Sequence, residues 1–266
     1  MKVGNLLVDE IHEDLHFNYS LMCTVSIYKI VGLSGTFFNK DKFIQKVQNT
    51  MFPKEAIYDY LVSDPYITYV EATYYTTTPT EIKYSYYNQP TYNHIALEKW
   101  IMKNPRRLAN YLALLGILVS QSYLNRAVDQ QKILIYAASV EMVSYIRDYL
   151  EELVPPNMKV IAFTAGSEYD VILDHHCISA TPGKASTAVD IPDLITVVST
   201  YMTASLQKVV QMLGRLRRHT APTLYVQLLC GDIEKQVGYQ YDNRLVIDSR
   251  VKDYRQITLK PRLGGF

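Results

Sequence analysis

The stretch Gly4-Asn5-Leu6-Leu7-Val8-Asp9-Glu10-Ile11-His12-Glu13-Asp14-Leu15-His16 decides how the rest of the chain is read, because it offers two chemistries in overlapping letters. From Asp9 it spells D-E-x-H, a carboxylate pair suited to a magnesium ion and to the water that attacks a phosphoryl group. From His12 it spells H-E-x-x-H, in which His12 and His16 would share a helix face to bind zinc while Glu13 acted on the metal-bound water, as in a metalloprotease. The flank favours the first. Residues 3–8, VGNLLV, form a short apolar, β-branched run that reads as a buried strand ending at Asp9. Acids at the carboxyl end of such a strand stand where an open α/β sheet meets its ligands. The zinc box needs a third ligand downstream, and the cluster Asp174, His175, His176, Cys177 is a poor source, since neighbours on a strand point to opposite faces.

A length of 266 residues with 48% hydrophobic and 20% charged content is ordinary globular composition, enough for one large or two ordinary domains. No run approaches the roughly 18 to 20 apolar residues that span a bilayer, so no membrane partner is expected. Residues 1–20 lack the order of a signal peptide, which points to a cytoplasmic location, or to host cytoplasm or virion for a viral protein. Cys23, Cys177 and Cys230 are too few and too far apart for a disulfide framework or a four-thiolate zinc site, and read as three buried thiols. The formal charge is +1, yet residues 207–218 carry Lys208, Arg215, Arg217 and Arg218 with no acid, and the end from Arg244 to Arg262 is also basic. Such runs are solvated faces or phosphate contacts. The 23 tyrosines fit strand preference more simply than nucleobase stacking.

Along the chain, a first block begins with the strand before Asp9 and includes a second apolar run, IYKIVGLSGT, residues 27–36. The Tyr-, Thr- and Pro-rich residues 64–90 suggest strands or an extended connector. Helical periodicity follows around Trp100, Leu108, Leu112, Leu115 and Val119, with Pro105 marking a break or a start. The second block then alternates: KILIYAAS strand, VEMVSYIRDYLEEL helix, MKVIAFTAG strand, CISATPG strand and turn, LITVVST strand, SLQKVVQMLGRLRR helix, PTLYVQLLC strand. That alternation predicts a mostly parallel sheet with helices on both faces.

Gln211, Gly214, Arg215 and Arg218 spell Q-x-x-G-R-x-x-R, shortly after SATPGKASTAVDIPDLITVVST. Together they resemble motifs VI and V of superfamily-two helicases. KILIYAASVEMVSYI resembles motif IV of that family, LSGT (Leu33 to Thr36) stands where it places motif III, and DEIH matches its Mg-ATP box. The resemblance covers about residues 3 to 235, and the DEIH spelling with the ENxxR-like NHIALEKWIMKNPRR is most similar to phage and large-DNA-virus recombination or transcription helicases. It implies an α/β fold. Residues 1–64 would be the C-terminal part of a first RecA-like motor domain, 65–98 a connector, 99–236 a complete second RecA-like domain with a mostly parallel sheet, and 237–266 a C-terminal extension.

The resemblance also implies ATP and Mg²⁺ as cofactors and DNA, or RNA, as partner. Asp9 would hold the metal, Glu10 would orient and deprotonate the attacking water, and His12, Ser34 and Thr36 would couple nucleotide state to movement. Arg215 and Arg218, placed on a helix N-terminus or the turn before it, would be the arginine fingers, supported by Gln211 and Gly214. Thr181, Ser139 and Arg217 would contact nucleic acid, although a serine at a strand end is first a helix cap. Asp190 would bind the nucleotide ribose or a finger, and Ala188 departs from the family's usual glycine two residues earlier.

The family's phosphate loop, G-x-x-x-x-G-K-[ST], occurs nowhere in the sequence, and only eight residues precede Asp9. Three expectations follow. The chain is the C-terminal portion of a longer motor, or one product of a split gene paired with a chain that supplies the loop, or a remnant that binds nucleic acid or a partner without hydrolysis.

Overall fold

The computed structural model describes residues 2–11, 15–34, 42–58, 64–77, 82, 92–126, 130–185 and 190–260. The chain divides into two compact units, Met1–Ser63 and Asp64–Phe266.

In the first unit, strand β1 (Lys2–Val8) runs parallel to β2 (Ser26–Gly32), with Leu6 opposite Ile30 and Val8 opposite Gly32. Parallel neighbours need a crossover, and helix α1 (Leu15–Thr24) supplies it. Helix α2 (Lys42–Met51) packs on α1 through Leu15, Val47 and Met51, with Met22, Ile44 and Phe52 around them. The run at 3–8 forms the expected strand, but residues 4–8 are not buried. Leu7 is 67% exposed and Tyr28 on β2 is 91% exposed, because among the described residues this sheet has two strands, and a pair cannot cover both faces of itself.

The second unit is built on seven strands, ordered β5-β6-β4-β7-β8-β3-β9, and all its pairings are parallel. The strands are β3 (Ile67–Tyr74), β4 (Lys132–Tyr136), β5 (Val160–Phe163), β6 (Cys177–Ala180), β7 (Leu194–Ser199), β8 (Thr223–Cys230) and β9 (Asp253–Thr258). Around them lie α3 (His94–Met102), α4 (Pro105–Val119), α5 (Val140–Leu153), the short α6 (Pro182–Ala185), α7 (Leu206–Leu213) and α8 (Glu234–Ile247). Every residue of β4 and β7 is buried, as central parallel strands require. Alternation along β4 sends Ile133 and Ile135 into a core with Leu97, Leu115 and Val143, and Leu134 and Tyr136 into a second core with Val209 and Met212. Helices therefore cover both faces, as the alternation predicts.

Local chemistry sets the helix starts. Asn104 caps α4, its side chain accepting from the Arg106 and Arg107 amides, with Pro105 in the first turn where a missing N–H costs nothing. Ser139 caps α5 by accepting from the Met142 amide.

Three expectations differ from the structure. Within the stretch read as a connector, residues 67–74 form β3 between β8 and β9, and Tyr69 stacks on Tyr225 and Tyr254 at ring distances of 5.2 and 5.3 Å. The tyrosines there stabilise a sheet through cross-strand pairs. The stretch read as an extension contributes most of α8 and the edge strand β9. Cys23 is exposed, whereas Cys177 and Cys230 are buried and their thiols are pushed up to about 12 by that burial. No helix among the described residues is long and apolar enough to cross a membrane.

Candidate functional site

The acids of the first unit sit in a turn fixed from two sides. Asp9 and Glu10 follow β1 directly, and the Leu33 amide donates to the Val8 carbonyl at 2.8 Å while the Ile11 amide donates to the Leu33 carbonyl at 3.0 Å. Leu33, directly after β2, is thereby tied to both sides of the Asp9-Glu10 turn. Gly32 permits the approach: a Cβ there would lie 2.9 Å from the Ile11 side chain. Glu10 adopts φ 48°, a left-handed turn that aims successive side chains differently from a helix. The Glu10 amide donates to Asp9 Oδ1 at 3.0 Å, and Asp9 is exposed.

His12 and Thr36 lie outside the described residues, as does Glu13 of the zinc spelling. His16 is described; it begins no metal cluster and stacks on Phe43 at 5.5 Å. No group of three or more His, Cys, Asp or Glu among the described residues could hold a metal. The adjacent carboxylates Asp9 and Glu10 are of the donor type that a magnesium ion takes, since it keeps several waters and binds through one or two carboxylates plus phosphate oxygens.

In the second unit the basic run is placed otherwise than expected. Helix α7, capped by Ser205, ends at Leu213 with Gly214 as its C-cap, so Arg215, Arg217 and Arg218 lie beyond a helix C-terminus and not at an N-terminus. The cause is packing. Leu216 is fully buried and the Arg217 amide donates to the Leu194 carbonyl at 3.0 Å, which draws the chain out of helix. Gln211 is half-buried on the last turn of α7. Arg215 is half-buried near Tyr136, whose hydroxyl is pushed up by burial and pulled back by the Arg215 charge.

Arg217 bonds Asp190 through Nε at 3.0 Å and through Nη2, and its Nη1 donates to the Gly214 carbonyl at 3.0 Å. Of the two roles expected of Asp190, the residue it meets here is Arg217, neither of the expected fingers. Arg218 donates to the Asp64 carbonyl at 2.9 Å and to its carboxylate, and its guanidinium lies over Tyr66. Both ion pairs are solvent-exposed, worth about 0–1 kcal/mol each, so a phosphate could displace either acid. Thr181 stands at the end of β6, where its carbonyl accepts the Lys184 and Ala185 amides and starts α6.

A buried polar chain around Ser139 was not foreseen. Glu98, fully buried on α3, accepts from the Ala138 amide at 2.7 Å, the Ser139 amide at 2.7 Å and the Ser139 hydroxyl at 2.5 Å. Burial pushes its carboxyl from the ordinary 4.5 up to about 7, against the pull of those three donors. Beside it His94 is held down to about 3 by burial. The Met202 amide donates to His94 Nδ1 at 3.4 Å and the Tyr92 hydroxyl meets the same atom at 2.6 Å, which puts the neutral ring's proton on Nε2, 3.7 Å from Glu98. Gln236 donates to the Tyr92 oxygen at 2.6 Å and accepts from the Cys230 amide at 2.7 Å. The signal was present: Glu98 falls on the apolar face of α3 with His94, Leu97 and Ile101.

No protein-family model matches the sequence, and no curated protein matches it. Solved structures do match by fold. The chain superposes on S. cerevisiae Dbp5 bound to RNA and ADP BeF3 with a TM-score of 0.58 and 9% identity, over 97% of this chain and 61% of that one. It superposes on Mss116p bound to ssRNA and AMP-PNP with a TM-score of 0.55 and 12% identity, over 95% of this chain and 48% of that one. T4 UvsW gives a TM-score of 0.50 at 14% identity, over 96% of this chain and 54% of that one. The fold is that of RecA-like helicase domains, and the chain spans roughly half to three fifths of the length of these proteins.

Proposed function

We propose that the chain is the motor portion of a DExH-type, nucleic-acid-dependent ATPase that translocates on or remodels DNA or RNA, of the kind found in phages and large DNA viruses. The observation that supports it best is the turn after β1. Asp9 and Glu10 stand at the carboxyl end of a parallel strand with Leu33 hydrogen-bonded to both sides of them, so Ser34, the next residue, would be placed to couple to the acids. The likeness in fold to proteins solved with RNA and ATP analogues points the same way.

Mg-ATP would supply the transferable phosphoryl group and the charge that must be neutralised. Asp9 would hold the ion's hydration shell and Glu10 would take the proton of the attacking water. Arg215 and Arg218 would stabilise charge developing on the phosphoryl oxygens, Arg218 exchanging Asp64 for phosphate, with Gln211 and Gly214 shaping the approach. Thr181 and Arg217 would face the nucleic acid, whereas Ser139, its amide and hydroxyl taken by Glu98, would cap α5. Asp190 would orient Arg217. The two sheet edges left unpaired among the described residues, and the exposed apolar side chains Leu7 and Tyr28, support the further proposal that strands bearing a phosphate loop, from a longer chain or a partner chain, complete the first unit's sheet.

The test is ATP turnover with and without single-stranded DNA or RNA, the phosphate-loop segment being supplied. Glu10→Gln is expected to cut turnover by at least about 100-fold. Arg215→Ala at full turnover would overturn the assignment. Binding without turnover, falling steeply with salt, would identify a non-hydrolysing binder.

A further inference from the structure

At the β9 edge of the seven-stranded sheet, a cavity of about 300 Å³ opens between β3, β9 and helix α8, remote in sequence from every motif above. Glu71 and Gln256, opposite one another on adjacent strands, line it together with Tyr75, Tyr241, Tyr254 and Arg244. The rings are held in place. Tyr75 packs against Gly231 so closely that a Cβ there would come within 2.5 Å of the ring. The Tyr254 hydroxyl donates to Glu71 Oε2 and accepts from the Gln240 amide at 3.1 Å, and the Arg244 guanidinium lies 4.3 Å over the Tyr254 ring.

Glu71 Oε1 accepts one bond from Gln256 at 3.3 Å, and each carboxylate oxygen can accept two. Acceptor capacity therefore remains on both oxygens, side by side. Tyr241 is 71% exposed, on one stripe of α8 with Val237 and Leu245, and presents a ring face to solvent at the mouth.

We propose that this cavity takes an unstacked guanine base of a single-stranded nucleic acid, a reading that rests on the nucleic-acid-binding function above. Aromatic faces accept any base by stacking. Guanine alone presents two adjacent N–H donors, N1–H and the N2 amino group, on its Watson–Crick edge, and a carboxylate with two parallel acceptors matches them. Adenine and cytosine set an acceptor beside their donor and would face Glu71 with like polarity. Arg244, lying over Tyr254 and sharing an exposed pair with Asp248 at 3.5 Å, would exchange that carboxylate for the flanking phosphate.

The experiment is fluorescence anisotropy of the whole chain, at low salt, with a labelled oligothymidylate carrying a central guanine and with the same strand carrying adenine. The guanine strand is expected to bind more tightly. Tyr241→Ala, a surface change, should weaken it about 5- to 100-fold, the range for loss of one stacking ring. Glu71→Gln should make the two strands bind alike. If both variants bind the guanine strand as the unaltered chain does, the cavity assignment is overturned while the nucleic-acid reading stands, and the Val237, Tyr241, Leu245 stripe belongs to a protein partner. If guanosine 5′-monophosphate binds as tightly as the strand, the ligand is a free nucleotide and the strand assignment falls. If the unaltered chain binds neither strand, both readings fall together.

Discussion

The two sheets of this chain are made from similar sequence and end in different physical states. GNLLV and IYKIVG in the first unit are as apolar as KILIY and LITVVS in the second, yet Leu7 and Tyr28 lie exposed while every residue of β4 and β7 is buried. The difference is the number of neighbours. A strand paired on both sides and covered by helices on both faces buries both rows of side chains, whereas among the described residues β1 and β2 pair with each other alone. Apolar content thus marks a strand meant for the middle of a parallel sheet without guaranteeing that the middle is there.

The contrast is most easily broken in the second unit, where Trp100, the single tryptophan, reports unfolding. Ile135→Ala, in a fully buried position of β4, is expected to cost about 2–5 kcal/mol in denaturant unfolding followed by Trp100 fluorescence. A loss under about 1 kcal/mol would mean that the core is loosely packed in solution.

Glu98→Ala should come next, removing the acceptor for two backbone amides and costing about 1–3 kcal/mol for the donors left unmet. Its conservative counterpart separates charge from shape. Glu98 rises from 4.5 to about 7 on folding, so its contribution is present below pH 4.5 and is lost as pH rises through 7. His94 falls from 6.5 to about 3, so its contribution is present above pH 6.5 and is lost as pH falls toward 3. The two slopes oppose one another where they overlap, and Glu98→Gln should leave the His94 slope uncovered, seen as a steeper loss of melting temperature on acidification below pH 6.5. An unchanged pH profile would mean that the Glu98 carboxyl is not desolvated in solution.

Hydrogen exchange extends the comparison residue by residue. Amides of β4 and β7 should exchange slowest, through global unfolding, and those of β1 and β2 among the fastest of any strand. The smallest effect is expected at Leu7→Ser, within about 0.5 kcal/mol of the unaltered chain. A large loss there, or slow exchange in β1, would show that this sheet is covered in solution and would sharpen the case for further strands against it.

Much of the architecture was legible because period and punctuation carry it. Alternation of short apolar runs with helical stretches predicted the parallel sheet, and Pro105 and Ser139 marked helix starts that the caps realise. The order of D-E-x-H, LSGT and Q-x-x-G-R-x-x-R pointed to the fold that the solved structures share. Register and burial were not legible. Nothing local says that residues 67–74 slide between β8 and β9, since that pairing joins positions more than 150 residues apart, and the Tyr66 bond to the Leu216 carbonyl likewise joins distant segments.

The sequence by itself determined the alternation of strands and helices from residue 132 to residue 230 and which side chains have the chemistry for phosphate, because propensity, capping and charge are properties of short segments. Tertiary structure alone decided that α7 stops before the arginines, that Arg217 meets Asp190 and Arg218 meets Asp64, and that Glu98 takes the amides at Ser139. Each of those outcomes depends on which distant segment fills the neighbouring space, and a one-dimensional pattern holds no distances.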